Sequence, residues 1–238
     1  MTLNNKLNEL SIIIPIYNEA KNIEKLWSKI KKNIDLKKLE IIYIDDDSND
    51  NSHKILRKIS KKDRKVKFFI RKNKVKDLSK SCVLGFNNCK YKNILVMDGD
   101  LQHDPRYIPK LIKKYETASS DLVIGCRDFF NEKNKGLNFI RTLASLILIF
   151  TINIMLGKQT SDPMSGFFLF KKKIYTQSKK KFYKKGYKIL ADIIYNNKNN
   201  IQISEIKINF KKRIHGKSKI NIKVLFYLII FIFNKFNV

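Results

Sequence analysis

Asp98 and Asp100 stand one residue apart in the segment MDGDLQHDP, residues 97–105, directly after an apolar run, with Gly99 between them. If that run is a strand, both carboxylates can reach one side of the strand-to-loop junction. Hard oxygen ligands there suit Mg2+ or Mn2+ beside a diphosphate. Gln102 offers a further oxygen. An Asp-x-Asp pair is common by chance, but open α/β sheets bind ligands at the carboxyl ends of their strands, and such a place would give it weight. His103 has no histidine or cysteine partner nearby and is expected to face solvent or to back the carboxylates.

A second acidic cluster, IDDDSND at residues 44–50, also closes an apolar run. Locally it reads as a cap for a following helix, with Ser48 or Asp50 accepting backbone N–H bonds. A third run ends in PIYNE, residues 15–19, so three strand ends would deliver carboxylates to one edge. Pro15, Tyr17 and Glu19 would then make a rigid rim with an aromatic face for a base or ribose.

Positioning these groups requires alternating strands and helices. Apolar runs over 11–16, 40–44, 66–70, 93–97 and 121–125 alternate with amphipathic stretches over 20–33, 51–61, 79–89 and 105–117, the pattern of βα units around a mostly parallel sheet. Pro105 suits a first helical turn, with Asp104 before it as N-cap. Residues 167–170 read as a strand, 187–195 as a helix, and 202–210 alternate apolar and polar as a half-exposed strand does. The uncharged stretch 142–156 is shorter than the ~20 residues of a straight bilayer crossing, so a buried or interfacial helix is expected. The run VLFYLIIFIF, residues 224–233, suits an in-plane anchor or a contact with a separate membrane chain.

The 238 residues fit one domain and a tail, and 43% hydrophobic residues suffice for a core. Fifty Lys and Arg against 21 Asp and Glu leave +29, a field that favours phosphate, anionic lipid or nucleic acid, although a Lys-rich codon bias accounts for such an excess equally well. Cys82, Cys89 and Cys126 follow no CxxC spacing, so a reducing compartment without disulfides or structural zinc is expected. The first residues lack an apolar stretch of signal-peptide length, which argues against export by that route.

PIYNE, IDDDSND, MDGDLQHDP, DPMSGFF at 162–168 and RIHGKSK at 213–219 occur in the order and spacing of family 2 inverting glycosyltransferases of the dolichol-phosphate mannosyltransferase type, which the chain resembles from residue 11 to residue 219. The resemblance implies a nucleotide-diphospho-sugar transferase (GT-A type) α/β sandwich with a catalytic domain over 1–219 and a membrane-associating tail over 220–238. It implies that Pro15, Tyr17, Glu19, Ile44 and Asp46 hold the nucleotide and that Asp98, Gly99 and Asp100 form the Asp-x-Asp. Asp100 and Gln102 fall in the metal-contacting places, for Mg2+ or Mn2+. Arg127 falls near donor and acceptor phosphates, Arg213 beside them, and Lys219 at the donor diphosphate. Asp98, Asp100, Arg127 and Lys219 are thus the expected catalytic set. This chain departs from the pattern at Asp47 and Asn51, where glycine is common, and at KDLSKS (76–81), which replaces a glycine-rich loop and resembles bacterial members.

The implied reaction moves a hexose from GDP-mannose or UDP-glucose to a polyprenyl phosphate, with inversion, at the cytoplasmic face of the membrane, by a peripheral or monotopic enzyme. A phosphate monoester with a second pKa of about 6 is already a dianion at neutral pH, so the acceptor demands cations more than a base. Arg127, Arg141, Ser145 and Arg213 are the candidates, Arg141 and Ser145 sharing a helix face by their spacing of four. Asp162 and Asp192 can order that region. A saccharide or protein acceptor is the alternative within enzymes. A basic nucleic-acid-binding domain is the alternative from another class, disfavoured because acidic turns crowd the sheet edge and no recognised binding motif is present.

Overall fold

A computed structural model describes residues 7–72, 74–128, 149–150, 152–154, 157, 159–182, 189–197 and 199–210. Arg141, Ser145, Arg213, Lys219, the tail and most of the apolar stretch 142–156 lie outside them.

The first half follows the expected alternation: β1 (Glu9–Ile16), α1 (Ala20–Asn33), β2 (Lys38–Asp45), α2 (Ser52–Lys62), β3 (Val66–Ile70), α3 (Leu78–Asn88) and β4 (Asn93–Val96). A 3-10 turn (Pro105–Tyr107) then leads into α4 (Ile108–Thr117) and β5 (Leu122–Arg127). Beyond it come β6 (Phe168–Lys171), α5 (Lys172–Ser178), α6 (Ile189–Asn197) and β7 (Ile203–Ile208). β1 and β2 are continuous apolar runs because helices cover both faces of the sheet. The helices are amphipathic: α1 buries Ile23, Leu26 and Ile30, spaced three and four apart, and leaves its lysines outside. Asp104 caps the turn at Pro105 as expected, its side chain accepting from Arg106 N–H. The helix α5 had no signal in sequence, because its buried Ile174 and Tyr175 are adjacent and give no helical period.

The strands form one seven-stranded sheet in the order β3-β2-β1-β4-β6-β5-β7. Parallel pairing joins β1 to β2 and β4, β2 to β3, and β5 to β7, while β6 runs antiparallel to both β4 and β5. The sheet separates two hydrophobic cores. Ile12 and Ile14 face α1, α2 and α4, whereas Ile13 faces α3, α5 and α6. All three cysteines are buried and unbridged. Among the described residues, no helix is long and apolar enough to cross a membrane.

This topology gathers the motifs. Chain order reverses between β1 and β4, and that switch point is where open α/β sheets place a ligand crevice. The first strand's PIYNE and the fourth's MDGD leave the sheet there. Because β6 is antiparallel, with Phe168 opposite Val96 and Ile124, the turn that precedes it reaches the same edge as the ends of β4, β5 and β7.

Candidate active site

The Asp-x-Asp turn rests on close backbone approach. A Cβ at Gly99 would lie 2.5 Å from Ile16 Cγ2, so the turn after β4 packs on β1 only with glycine there. Leu101, two residues on, has φ of +65°, a left-handed conformation uncommon for leucine. Asp100 is buried rather than presented on an open loop, and its Oδ1 accepts Gln102 N–H at 3.0 Å. Asp98 is the more open carboxylate, its side chain 32% exposed. Opposite it stands Gly166 of DPMSGFF, where a Cβ would lie 2.9 Å from both Asp98 oxygens. Gly166→Ala is therefore expected to displace the Asp98 carboxylate and cut activity at this site by about tenfold or more, since a misplacement of about 1 Å can cost ~100-fold. Initial rates beside thermal melting check this; a variant with parental rates would show that Asp98 does not need that position.

His103 does not face solvent. It is buried, stacked on Phe167 at 5.2 Å between centroids and met edgewise by Phe210 at 5.3 Å. Its Nδ1 accepts Asp98 N–H at 3.3 Å, and burial pushes its pKa down to about 4, so a neutral imidazole backs the Asp98 turn. Sequence offered no warning, because the aromatic residues that enclose it come from remote segments.

The rim expected to receive a nucleotide is laced together by short polar side chains. Pro15 and Ile44 are register partners on β1 and β2. Asn18 N–H donates to Ser48 Oγ at 2.8 Å, and Asn49 N–H to Asn18 Oδ1 at 2.8 Å. Asp50 accepts from Ser52 N–H and from Ala20 N–H, both at 3.0 Å, and so caps α2 while holding the start of α1. Glu19 is buried, with Oε2 accepting Asn22 Nδ2 at 2.6 Å. Of the two positions where glycine is common, Asp47 takes positive φ (62°), whereas Asn51 has φ of −76° and needs no glycine.

Asp46 meets donors of the protein itself. Its Oδ2 accepts Asp77 N–H at 2.6 Å and its Oδ1 pairs with Arg71. The Arg71 guanidinium also donates to the carbonyls of Asp77 (3.1 Å) and Val75 (3.3 Å) and to Ser81 Oγ (3.2 Å). Burial raises the Asp46 pKa, against the pull of the Asp77 amide and of Arg71. This clasp holds residues 75–77 and sets Lys76 Nζ 5.1 Å above the Tyr17 ring and 3.0 Å from the Asp47 carbonyl. Neither Arg71 nor the Lys76 contact was legible in sequence, since one arginine among fifty cations carries no mark.

Arg127 ends β5 and is oriented by a buried carboxylate. Its Nε and Nη2 fork onto Asp162 at 2.7 and 2.8 Å, and its backbone N–H meets the same carboxylate at 3.2 Å. The Phe210 ring lies 5.7 Å from the guanidinium carbon. Ser165 Oγ donates to the Gly125 carbonyl at 2.7 Å, which fastens the DPMSGFF turn to β5. Asp162 thus orders Arg127, as expected, while Asp192 accepts from Asn196 within α6.

The site unites an Asp-x-Asp at the end of β4, a two-strand polar rim at the ends of β1 and β2 and an oriented arginine. Residues 11–178 match the profile of Glycosyl transferase family 2. The chain belongs to glycosyl transferase family 2. It is 36% identical over 220 residues to a dolichol-phosphate mannosyltransferase of Pyrococcus furiosus, covering 92% of this chain and 61% of that protein. It is also 30% identical over 227 residues to the dolichol-phosphate mannosyltransferase of Saccharomyces cerevisiae, covering 91% and 83%. The chain therefore spans about three fifths of the archaeal relative's length. Glucosyl-3-phosphoglycerate synthase from Mycobacterium tuberculosis, solved with Mn2+, UDP-glucose and phosphoglyceric acid, superposes with a TM-score of 0.71 at 15% identity, over 97% of this chain and 80% of that one. At that identity the likeness concerns the fold, a GT-A type α/β sandwich.

The donor set suits a hard divalent cation. No cluster of three acidic, histidine or cysteine side chains gathers among the described residues. Mg2+ is commonly held by one or two carboxylates together with substrate phosphates, and the side-chain oxygens of Asp98, Asp100 and Gln102 are of the hard type it takes.

Proposed function

We propose that this family 2 glycosyltransferase transfers a hexose from a nucleoside diphosphate sugar to a polyprenyl phosphate, with inversion, at the cytoplasmic face of a membrane. The observation that carries the reading is the placement of Arg127, oriented by Asp162, at the same sheet edge as Asp98 and Asp100. A cation held in fixed orientation beside a diphosphate site suits a second phosphate group, as a saccharide hydroxyl would not require. The names of the archaeal and yeast relatives support the same acceptor.

In this reading Tyr17, with Pro15, Ile44 and Glu19, receives the nucleoside, and Asp46 shapes the rim from behind through Arg71. Asp100 and Gln102 would hold Mg2+ or Mn2+, which supplies neutralisation of the donor diphosphate when bound. Arg127, with Arg141, Ser145 and Arg213, holds the acceptor phosphate; Lys219 meets the diphosphate. The acceptor oxygen forms its bond to the anomeric carbon opposite the breaking bond to the diphosphate, which departs with the electron pair. No general base is needed, since the phosphate is already ionised at neutral pH. Residues 220–238 associate with the membrane surface or with a membrane subunit.

Assaying GDP-mannose and UDP-glucose against radiolabelled polyprenyl phosphate, with Mg2+ or Mn2+, tests the reading. Lipid-linked product is expected from one of them. Arg141→Ala should lower acceptor use about tenfold or more, because a charge-assisted hydrogen bond contributes roughly 1.5–3 kcal/mol. Donor affinity by calorimetry should stay unchanged. Transfer to a free saccharide but not to the lipid phosphate would overturn the acceptor assignment.

A further inference from the structure

We propose that Glu205, on the edge strand β7, is a positioning residue for Arg127. It acts through residues 160–162, and the inference rests on the reading of Arg127 as a phosphate contact. Glu205 Oε1 accepts Ser161 N–H at 2.6 Å and also the Thr160 hydroxyl; its Oε2 accepts Ser161 Oγ at 2.8 Å. Thr160 Oγ1 in turn accepts Asp162 N–H at 3.3 Å. Asp162 is fully buried and grips Arg127 through both guanidinium edge nitrogens and the backbone amide. One carboxylate therefore fixes two consecutive residues, and the third is the carboxylate that aims the site cation.

The arrangement is not that of a surface ion pair. The chain has 21 acidic residues for 50 basic ones, so a carboxylate has ample lysines to meet, yet among the described residues Glu205 pairs with no lysine or arginine. It spends its oxygens on donors of the loop beside Asp162. Its strand neighbours Ile206 and Ile208 belong to the core on the far side of the sheet, so Glu205 points away from that packing and toward the loop. Without it, the Thr160 and Ser161 donors would turn to water, and the peptide that carries Asp162 would lose its hold.

The experiment uses the full chain and compares Glu205→Ala, Glu205→Gln, Arg127→Ala and the Arg127→Ala/Glu205→Ala double variant. The first readout is modification of Arg127 by phenylglyoxal, mapped by peptide mass spectrometry. Arg127 should react several-fold faster in Glu205→Ala than in the parent and return toward parental protection in Glu205→Gln, whose amide oxygen keeps the Oε1 acceptor. The second is transfer from the nucleotide sugar to polyprenyl phosphate: Glu205→Ala should lose about tenfold in kcat/KM for the acceptor, with donor affinity within about twofold. The double variant should be no worse than Arg127→Ala, because residues acting as a unit are non-additive.

Parental protection of Arg127 in Glu205→Ala overturns the inference whatever the rates, as do losses that multiply in the double variant. Increased reactivity of Arg127 together with normal transfer by Arg127→Ala leaves the positioning role standing and overturns the phosphate-contact reading instead. Should Glu205→Ala fail to fold, Thr160→Val removes the middle hydroxyl and must raise Arg127 reactivity in the same way; parental protection there overturns the inference too.

Discussion

Asp100→Asn is expected to abolish most sugar transfer, by about a hundredfold or more, without lowering the melting temperature. Asp100 is buried, and its Oδ1 accepts Gln102 N–H. Asparagine keeps that acceptor while removing a charge whose burial is costly, so the fold gains or holds stability. In the proposed reading the site loses a carboxylate that would hold a cation at the donor diphosphate, and charge stabilisation of this sort contributes several kcal/mol to a transition state. Thermal unfolding and initial rates across a Mg2+ or Mn2+ titration separate the two effects. Parental turnover at limiting metal would remove Asp100 from the machinery; a large fall in melting temperature would make its role structural.

Arg71→Met should cost stability on the scale of a broken buried ion pair, about 3–5 kcal/mol. The Arg71 and Asp46 side chains are each 8% exposed, and the guanidinium also satisfies the carbonyls of Val75 and Asp77. Methionine fills similar space but leaves the Asp46 charge buried beside a lost partner. Adding Asp46→Asn should recover part of the loss, because the second change removes that stranded charge. Urea unfolding at neutral pH of the two single variants and the double variant measures this. A loss under about 1 kcal/mol for Arg71→Met, or no recovery in the double variant, would mean that the clasp contributes little. Since the clasp also sets the loop that brings Lys76 over Tyr17, donor affinity should weaken in Arg71→Met even where the protein is fully folded.

What could be read from local sequence was whatever local physics decides. The strands 11–16 and 40–44 announce themselves as apolar runs because both sheet faces are covered, the edge strand 66–70 is half-buried and still mostly apolar, and α1 through α4 announce themselves by period and by the Asp104-Pro105 start. A short helix such as α5 escaped, since burial by neighbouring elements makes it and no repeat of its own does. The left-handed demand of the second acidic turn was visible as missing glycine, but which residue bears it, Asp47 rather than Asn51, depends on how the turn meets the loop at Asn18.

By itself the sequence determined that this is an α/β chain with carboxylates at strand ends, and its ordered motifs determined the family. Tertiary structure decided everything that depends on segments far apart in the chain. The antiparallel β6 carries Gly166 to the face of Asp98, although 68 residues separate them, and only that approach explains why the position takes no side chain. Phe167 and Phe210 enclose His103 and hold it neutral. Arg71 finds Asp46 across 25 positions, and Glu205 reaches Thr160 across 45. Hydrogen bonds and charges act within a few ångströms, and a spacing along the chain tells nothing of such a distance until the strand order has folded the two ends together.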